Sequence, residues 1–211
     1  GYGMTHLKEG DEVLITLAEH ASNTLPWFEV AKHTGAIIKY IDLDEEGKVT
    51  LENVKKAVTE HTKIISLAQI TNVLGYLAPI KEICNFAHEH DIIVCVDGAQ
   101  SAPHHAVDVQ DLDVDFFAFS GHKMCGPTGV GVLYGKYHLL EEMTPTRFGG
   151  GSNARYNSCG LVKLKNAPTK FETGTPNIEG VIGLGSAIEY LQNIGMKNIE
   201  EHEAMLRKYA V

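Results

Sequence analysis

Short apolar runs alternating with helix-length amphipathic segments constrain this chain more than any other feature. VLIT within residues 12–16, AIIKYIDL, KIISLAQ, IIVCVD and VDFFAFS are rich in β-branched and aromatic residues and bounded by turn formers. Such runs read as buried strands. The segments between them carry helix signals. Pro26 suits a helix first turn and Gly35 its C-cap. Thr50 suits the N-cap of LENVKKAVTEH, with Leu51, Val54 and Val58 on the buried face. Pro79 opens IKEICNFAHEH, whose Ile80, Ile83, Cys84 and Ala87 form one stripe. GVGVLYGK reads as a glycine-interrupted strand, YHLLEEM as a short helix, and residues 178–195 as a helix capped by Asn177 or Thr175. A last helix starts near Lys197. Strand–helix alternation without a repeat predicts an α/β fold, three-layered with a mostly parallel sheet. Residues 144–175 read as a long loop, functional or disordered.

Composition narrows the class. With 211 residues, 44% of them hydrophobic, the chain can bury a sizeable core as one domain. A net charge of −9 and no basic patch exclude nucleic acid as a partner. All apolar runs are strand-length, too short for a membrane span, and residues 1–15 lack a signal-peptide pattern. Four cysteines without a CxxC pair read as reduced thiols of a cytoplasmic protein. Among eleven histidines, the close pairs His104–His105 and His88–His90 lack ligands at zinc-like spacing, so no metal site is expected. Gly1 begins in what reads as a helix end, and the last helix has no stop signal, so a fragment of a longer protein is expected.

Chemistry concentrates between residues 94 and 123, VCVDGAQSAPHHAVDVQDLDVDFFAFSGHK. Strand ends in an open α/β sheet are where functional groups gather, and two of them here present Asp97, Gln100, Ser120, His122 and Lys123. A lysine in an apolar, glycine-rich setting suits a Schiff base. Pyridoxal phosphate (PLP) needs such a lysine, a carboxylate at its ring nitrogen, phosphate donors and a group lying flat on its ring. Lys123, Asp97, Ser120 with His122, and His20 fit these four demands, and the Asn72 amide could reach the ring hydroxyl. The plainer alternatives are that Asp97 caps the DGAQSAP turn, that Asn72 is a turn residue and that His20 is an exposed helix-entry residue.

EHASNTLPW, TNVLG, VDGAQSAPHHAVDVQDLDVDFFAFSGHKMCGPTGVGVLYGK and FETGTPN, in this order along the chain, closely resemble the cysteine desulfurase/selenocysteine lyase group of class V aminotransferases, the SufS-like branch. The resemblance implies a fold-type I PLP enzyme, usually homodimeric. Such an enzyme converts L-cysteine to L-alanine and passes sulfur through an enzyme persulfide to an acceptor protein, for iron–sulfur cluster or other sulfur-containing cofactor synthesis. By that resemblance Lys123 is the Schiff-base lysine and acid/base, His20 stacks on the ring, and Asp97 pairs with the ring nitrogen. Gln100 and Asn72 contact the ring hydroxyl or substrate, Ser120 and His122 hold the phosphate, and Thr175 reaches the partner subunit's phosphate.

The resemblance also implies that residues 1–211 are a partial large domain. The upstream phosphate-binding segment would precede Gly1, and the persulfide cysteine and substrate-carboxylate arginine would follow Val211. Of the four cysteines, Cys84, Cys95 and Cys125 read as packing residues, and Cys159 is the one to test for reactivity. GGGSNARYNSCGLVKLKN departs from the family, which usually has Gly-Gly followed by Glu and Met here. That departure keeps L-selenocysteine as an alternative substrate, with an aminotransferase or a non-catalytic truncated domain as further alternatives.

Overall fold

The structure, a computed structural model, describes residues 1–210. Its centre is a six-stranded sheet of order β2-β1-β3-β4-β5-β6. The strands are β1 (Glu12–Ile15), β2 (Ile37–Tyr40), β3 (Thr62–Ala68), β4 (Ile93–Asp97), β5 (Phe116–Ser120) and β6 (Gly131–Gly135). The first five run parallel, and β6 closes one edge antiparallel to β5. Central strands of a parallel sheet are covered on both faces and so read as unbroken apolar runs. All four residues of β1 are buried, and so is every residue of β3 except Lys63.

Helices cover both faces, giving the three layers expected. Helices α1 (Tyr2–His6) and α2 (Ala21–Thr34) lie on one face, where Tyr2, Trp27 and Val30 pack on Val13, Ile15 and Ile64. Helices α3 (Leu51–Ala57), α4 (Ile80–His88) and α5 (Val109–Leu112) cover the other, around Leu14, Ile65, Leu67, Val94, Val96 and Phe117. Helix α6 (Tyr137–Glu142) follows β6. The long α7 (Ile178–Ile194) and α8 (Met196–Ala210) add a third cluster, in which Leu184 and Leu191 meet Met124.

The local signals mostly act where they stand in the sequence. Gly35 ends α2 in the left-handed conformation, φ 78°, which costs glycine nothing. The Thr50 hydroxyl accepts from Asn53 N at 3.2 Å, and the whole stripe Ile80, Ile83, Cys84, Ala87 is buried. Asn177, not Thr175, caps α7, accepting from Gly180 N at 2.9 Å. Two expectations are corrected. Pro26 sits inside α2, whose first residue is Ala21, rather than in its first turn. Its missing N–H leaves the carbonyl of Ser22 free, and Ser22 is exposed, so water can satisfy it. The stretch 144–175 is not simply a loop: it contains an antiparallel hairpin, β7 (Asn153–Tyr156) and β8 (Val162–Leu164). Its strands expose Arg155, Tyr156, Val162 and Lys163, so no buried stripe marks them.

Candidate active site

The strand order reverses between β1 and β3: β1 leads to β2 on one side, while β3 flanks it on the other. The C-terminal ends of strands at such a reversal form a crevice suited to ligands. A cavity of about 560 Å³ opens beside it, over β4 and β5, lined by residues that include Tyr2, His20, Asn23, Trp27, Ser66, Cys95, Asp97, Ala118, Ser120, His122 and Lys123. Its size falls within the few hundred to about 1,000 Å³ usual for small-molecule sites.

Each polar group arrives there for a local reason. Asp97 is the last residue of β4. Its Oδ1 accepts from Ala99 N at 2.9 Å, so it caps the following turn and also faces the cavity. Gly98 makes that turn possible: its N–H donates to Ala118 O at 2.8 Å, and a Cβ there would lie 2.0 Å from the Phe117 ring. Ser120 ends β5, and a single 3-10 turn, Gly121–Lys123, follows. Gly121 fits against Val130, donating to its carbonyl at 2.9 Å. Its carbonyl then accepts from both Met124 N at 3.0 Å and Gly126 N at 2.9 Å. The tight turn buries Met124 while Lys123 lines the cavity half-buried. His20 is the N-cap of α2, and its Nδ1 accepts from Ser22 N at 3.1 Å. That bond requires an unprotonated Nδ1, so the neutral ring carries its proton on Nε2.

The electrostatics are uncompensated. Neither Asp97 nor Lys123 forms an ion pair among the described residues, although both line one cavity. Beside Asp97, Cys95 faces the same cavity, and burial pushes its thiol up. Burial pushes the core thiol of Cys84 up to about 12. Both are therefore poor nucleophiles. Cys125 and Cys159 are exposed.

The structure does not gather every site residue singled out from the sequence. His20, Asp97, Ser120, His122 and Lys123 share the cavity. Asn72 and Gln100 line a different one of about 660 Å³, together with Lys48, His104, His105 and α8 residues Glu200, Glu203 and Arg207. Thr175 is exposed and lines neither. The histidine pairs have other partners. His104 and His105 bond to Glu203 and Glu200 at 2.6 and 3.2 Å. His88 lies between Asp113 and Asp115 at 3.1 and 2.9 Å, and His90 bonds to Phe86 O at 2.8 Å.

Sequence reasoning passes over Glu19. It lies in the turn between β1 and α2, and both its oxygens are engaged. Oε1 accepts from the Thr16 hydroxyl at 2.8 Å, and Oε2 from Asn23 Nδ2 at 2.7 Å and Ala68 N at 2.8 Å. Burial raises this carboxyl above its ordinary value; its hydrogen bonds oppose the shift and the nearby charge of Asp97 adds to it. A carboxylate one residue before a candidate ring-stacking histidine was the available signal.

An open α/β sheet with an amine and a carboxylate in one crevice at its strand ends, each without an ion pair among the described residues, defines a ligand-binding α/β protein. The class-V aminotransferase family model matches residues 1–211, and the chain belongs to that family. It is 52% identical over 212 residues to a probable cysteine desulfurase of Halalkalibacterium halodurans, covering 100% of this chain and 52% of that protein. Among solved structures, it is similar to a cysteine desulfurase from Escherichia coli at TM-score 0.90 and 42% identity, covering 93% of this chain and 49% of that one. It also resembles a C-DES mutant with glycine covalently linked to its PLP cofactor, at TM-score 0.83 and 26% identity, covering 95% and 56%. The chain thus spans about half the length of the curated relatives it matches.

Proposed function

We propose that residues 1–211 are the cofactor-binding part, the large domain, of a PLP-dependent cysteine desulfurase. One observation carries this reading: Asp97 and Lys123 line a single cavity and neither has an ion-pair partner among the described residues. A group with a cationic ring nitrogen and an aldehyde carbon suits both at once. The donor set fits the rest of the cofactor, with the Ser120 hydroxyl and the His122 imidazole for a phosphate and the His20 ring for the face of an aromatic ring.

PLP, when bound, acts as an electron sink for the bonds at an amino acid's α-carbon. The chain's own residues would do the remainder. Asp97 holds positive charge at the ring nitrogen, which its turn bond to Ala99 keeps aimed from the end of β4. Lys123 Nζ would hold the aldehyde carbon and would move a proton at the substrate α-carbon. His20, with its proton on Nε2, presents a neutral ring with one donor. Asn72 and Gln100, which line the neighbouring cavity, and Thr175, which lines neither, keep the roles the resemblance implies: the first two would serve the ring hydroxyl or substrate, and Thr175 the phosphate of a partner subunit.

L-cysteine is the substrate we infer, from the relatives' names, with L-selenocysteine as its competitor. Sulfur would pass through an enzyme persulfide to an acceptor protein for iron–sulfur cluster assembly; Cys84 and Cys95, whose thiols burial pushes up, do not suit the persulfide role. A homodimer accords with the exposure of Ile178, Val181 and Ile182 on α7, and a cytoplasmic site with four free thiols.

The test uses the full-length protein. Added PLP should give a visible absorbance band that Lys123→Ala abolishes, and sulfide release from L-cysteine should exceed selenide release from L-selenocysteine. A protein that stays colourless with PLP overturns the reading.

A further inference from the structure

Three segments must meet correctly for the candidate site to form: the turn after β1, the first turn of α2, and the C-terminal end of β3. His20 belongs to the second of these, and Asp97 depends on the third. Ala68, the last residue of β3, is the register partner of Asp97, and Gln69 N donates to Asp97 O at 3.0 Å. Glu19 touches all three. Thr16 lies in the turn, Asn23 in α2 and Ala68 on β3, and each donates to its carboxylate between 2.7 and 2.8 Å. Asn23 makes a second tie, accepting from the Ser66 hydroxyl of β3 at 2.8 Å.

We propose that Glu19 is a positioning residue of this site, whose carboxylate clamps the β1 turn and α2 onto β3 and so sets where His20 stands relative to Asp97. The assignment rests on the PLP reading above. Its geometry is specific to an acceptor: three donors converge on two oxygens, and no cation pairs with Glu19 among the described residues. A carboxylate serving only to neutralise charge would face a lysine or arginine. This one faces a hydroxyl, an amide and a backbone N–H, which fixes directions in space.

Substitution separates the roles. Glu19→Ala leaves three donors without their acceptor and frees the α2 entry from β3. Glu19→Gln can keep the contacts: its oxygen takes the place of Oε2, and its amide donates to Thr16 Oγ1 once that hydroxyl turns away. With full-length protein, PLP affinity is measured by titration, and the circular dichroism of the bound cofactor reports its orientation against the protein. Glu19→Ala should weaken PLP binding about tenfold or more, as expected for lost buried hydrogen-bond partners, and diminish that dichroism. Glu19→Gln should recover most of both. Thr16→Val removes one donor without touching a cavity-lining residue and should weaken binding in the same direction, which keeps the test open if Glu19→Ala does not fold.

A wild-type protein that takes up no PLP overturns the cofactor reading and this assignment together. Normal PLP uptake by the wild type, with affinity and dichroism unchanged in Glu19→Ala or in Thr16→Val, overturns the assignment of Glu19 alone. So does a Glu19→Gln variant as impaired as the alanine, because charge rather than hydrogen-bond geometry would then be responsible.

Discussion

Gly98 has no room for a side chain. A methyl group there would sit 2.0 Å from one ring carbon of Phe117 and 2.2 Å from the next, and Phe117 is fully enclosed in the core. The ring is enclosed in the buried cluster that also holds Val94 and Val96, so the turn must move instead, and Asp97 with it. Gly98→Ala should therefore destabilise the fold by about 1–3 kcal/mol, the usual cost of overpacking, read as a lower urea midpoint of the full-length protein. PLP affinity should fall alongside it; an unchanged midpoint would show that the turn has slack the geometry denies. At this scale the sequence was informative where chemistry is adjacent to a strand end. Asp97, Ser120 and Lys123 terminate or follow β4 and β5, so local pattern placed them in one crevice. Glu19 was invisible because its role is defined by donors from Thr16, Asn23 and Ala68, and the last of these lies far along the chain. Asn72 and Gln100 also sit at strand ends, yet they line a neighbouring cavity, since which way a loop folds depends on α8 packing against it.

Among the elements, β1 is anchored at its start by a buried charge. Glu12 accepts from Thr59 Oγ1 at 2.7 Å, Thr62 Oγ1 at 3.1 Å and Lys39 Nζ at 2.7 Å, tying β1 to edge strand β2 and to the entry of β3. Burial pushes its carboxyl up, but Lys39 and the two hydroxyls outweigh that and hold it below the ordinary value of 4.5. A carboxyl lowered by folding contributes stability that is present above its unfolded-state value and lost as pH falls through its folded one. Glu12→Gln should cost about 1–3 kcal/mol at neutral pH, because Lys39 loses its partner and a buried acceptor is replaced. The gap between variant and wild type should narrow as the pH is taken well below 4.5. Urea midpoints at both pH values check this, and a gap independent of pH would contradict it. Caps and stripes made most elements legible: Thr50, Gly35 and the α4 stripe each act through neighbours within one helical turn. The β7–β8 hairpin was missed because its exposed strands bury no alternate face, so the period that marks a strand is absent.

For the molecule as a whole, strand–helix alternation was enough to imply three layers and a mostly parallel sheet, whereas the strand order was not, because it depends on which faces α2, α3 and α4 choose. That order matters most for stability at the crevice. Folding brings Asp97, held by one turn bond, and Lys123 to one cavity, with neither in an ion pair among the described residues. Sites that hold unpaired charge are less stable than the fold could be, since the arrangement serves a ligand. Two measurements on the full-length protein follow from this. PLP at about 100 times its dissociation constant should add about 2.7 kcal/mol of stability by mass action. Asp97→Asn keeps an acceptor for Ala99 N while removing the unpaired charge, so the cofactor-free variant should be at least as stable as the cofactor-free wild type. The same variant should lose most of the stabilisation by PLP, having no anion for the ring nitrogen. Denaturation midpoints with and without PLP decide it. A variant less stable than wild type without cofactor, yet equally stabilised by it, would mean that Asp97 serves the turn after β4 and not the ligand.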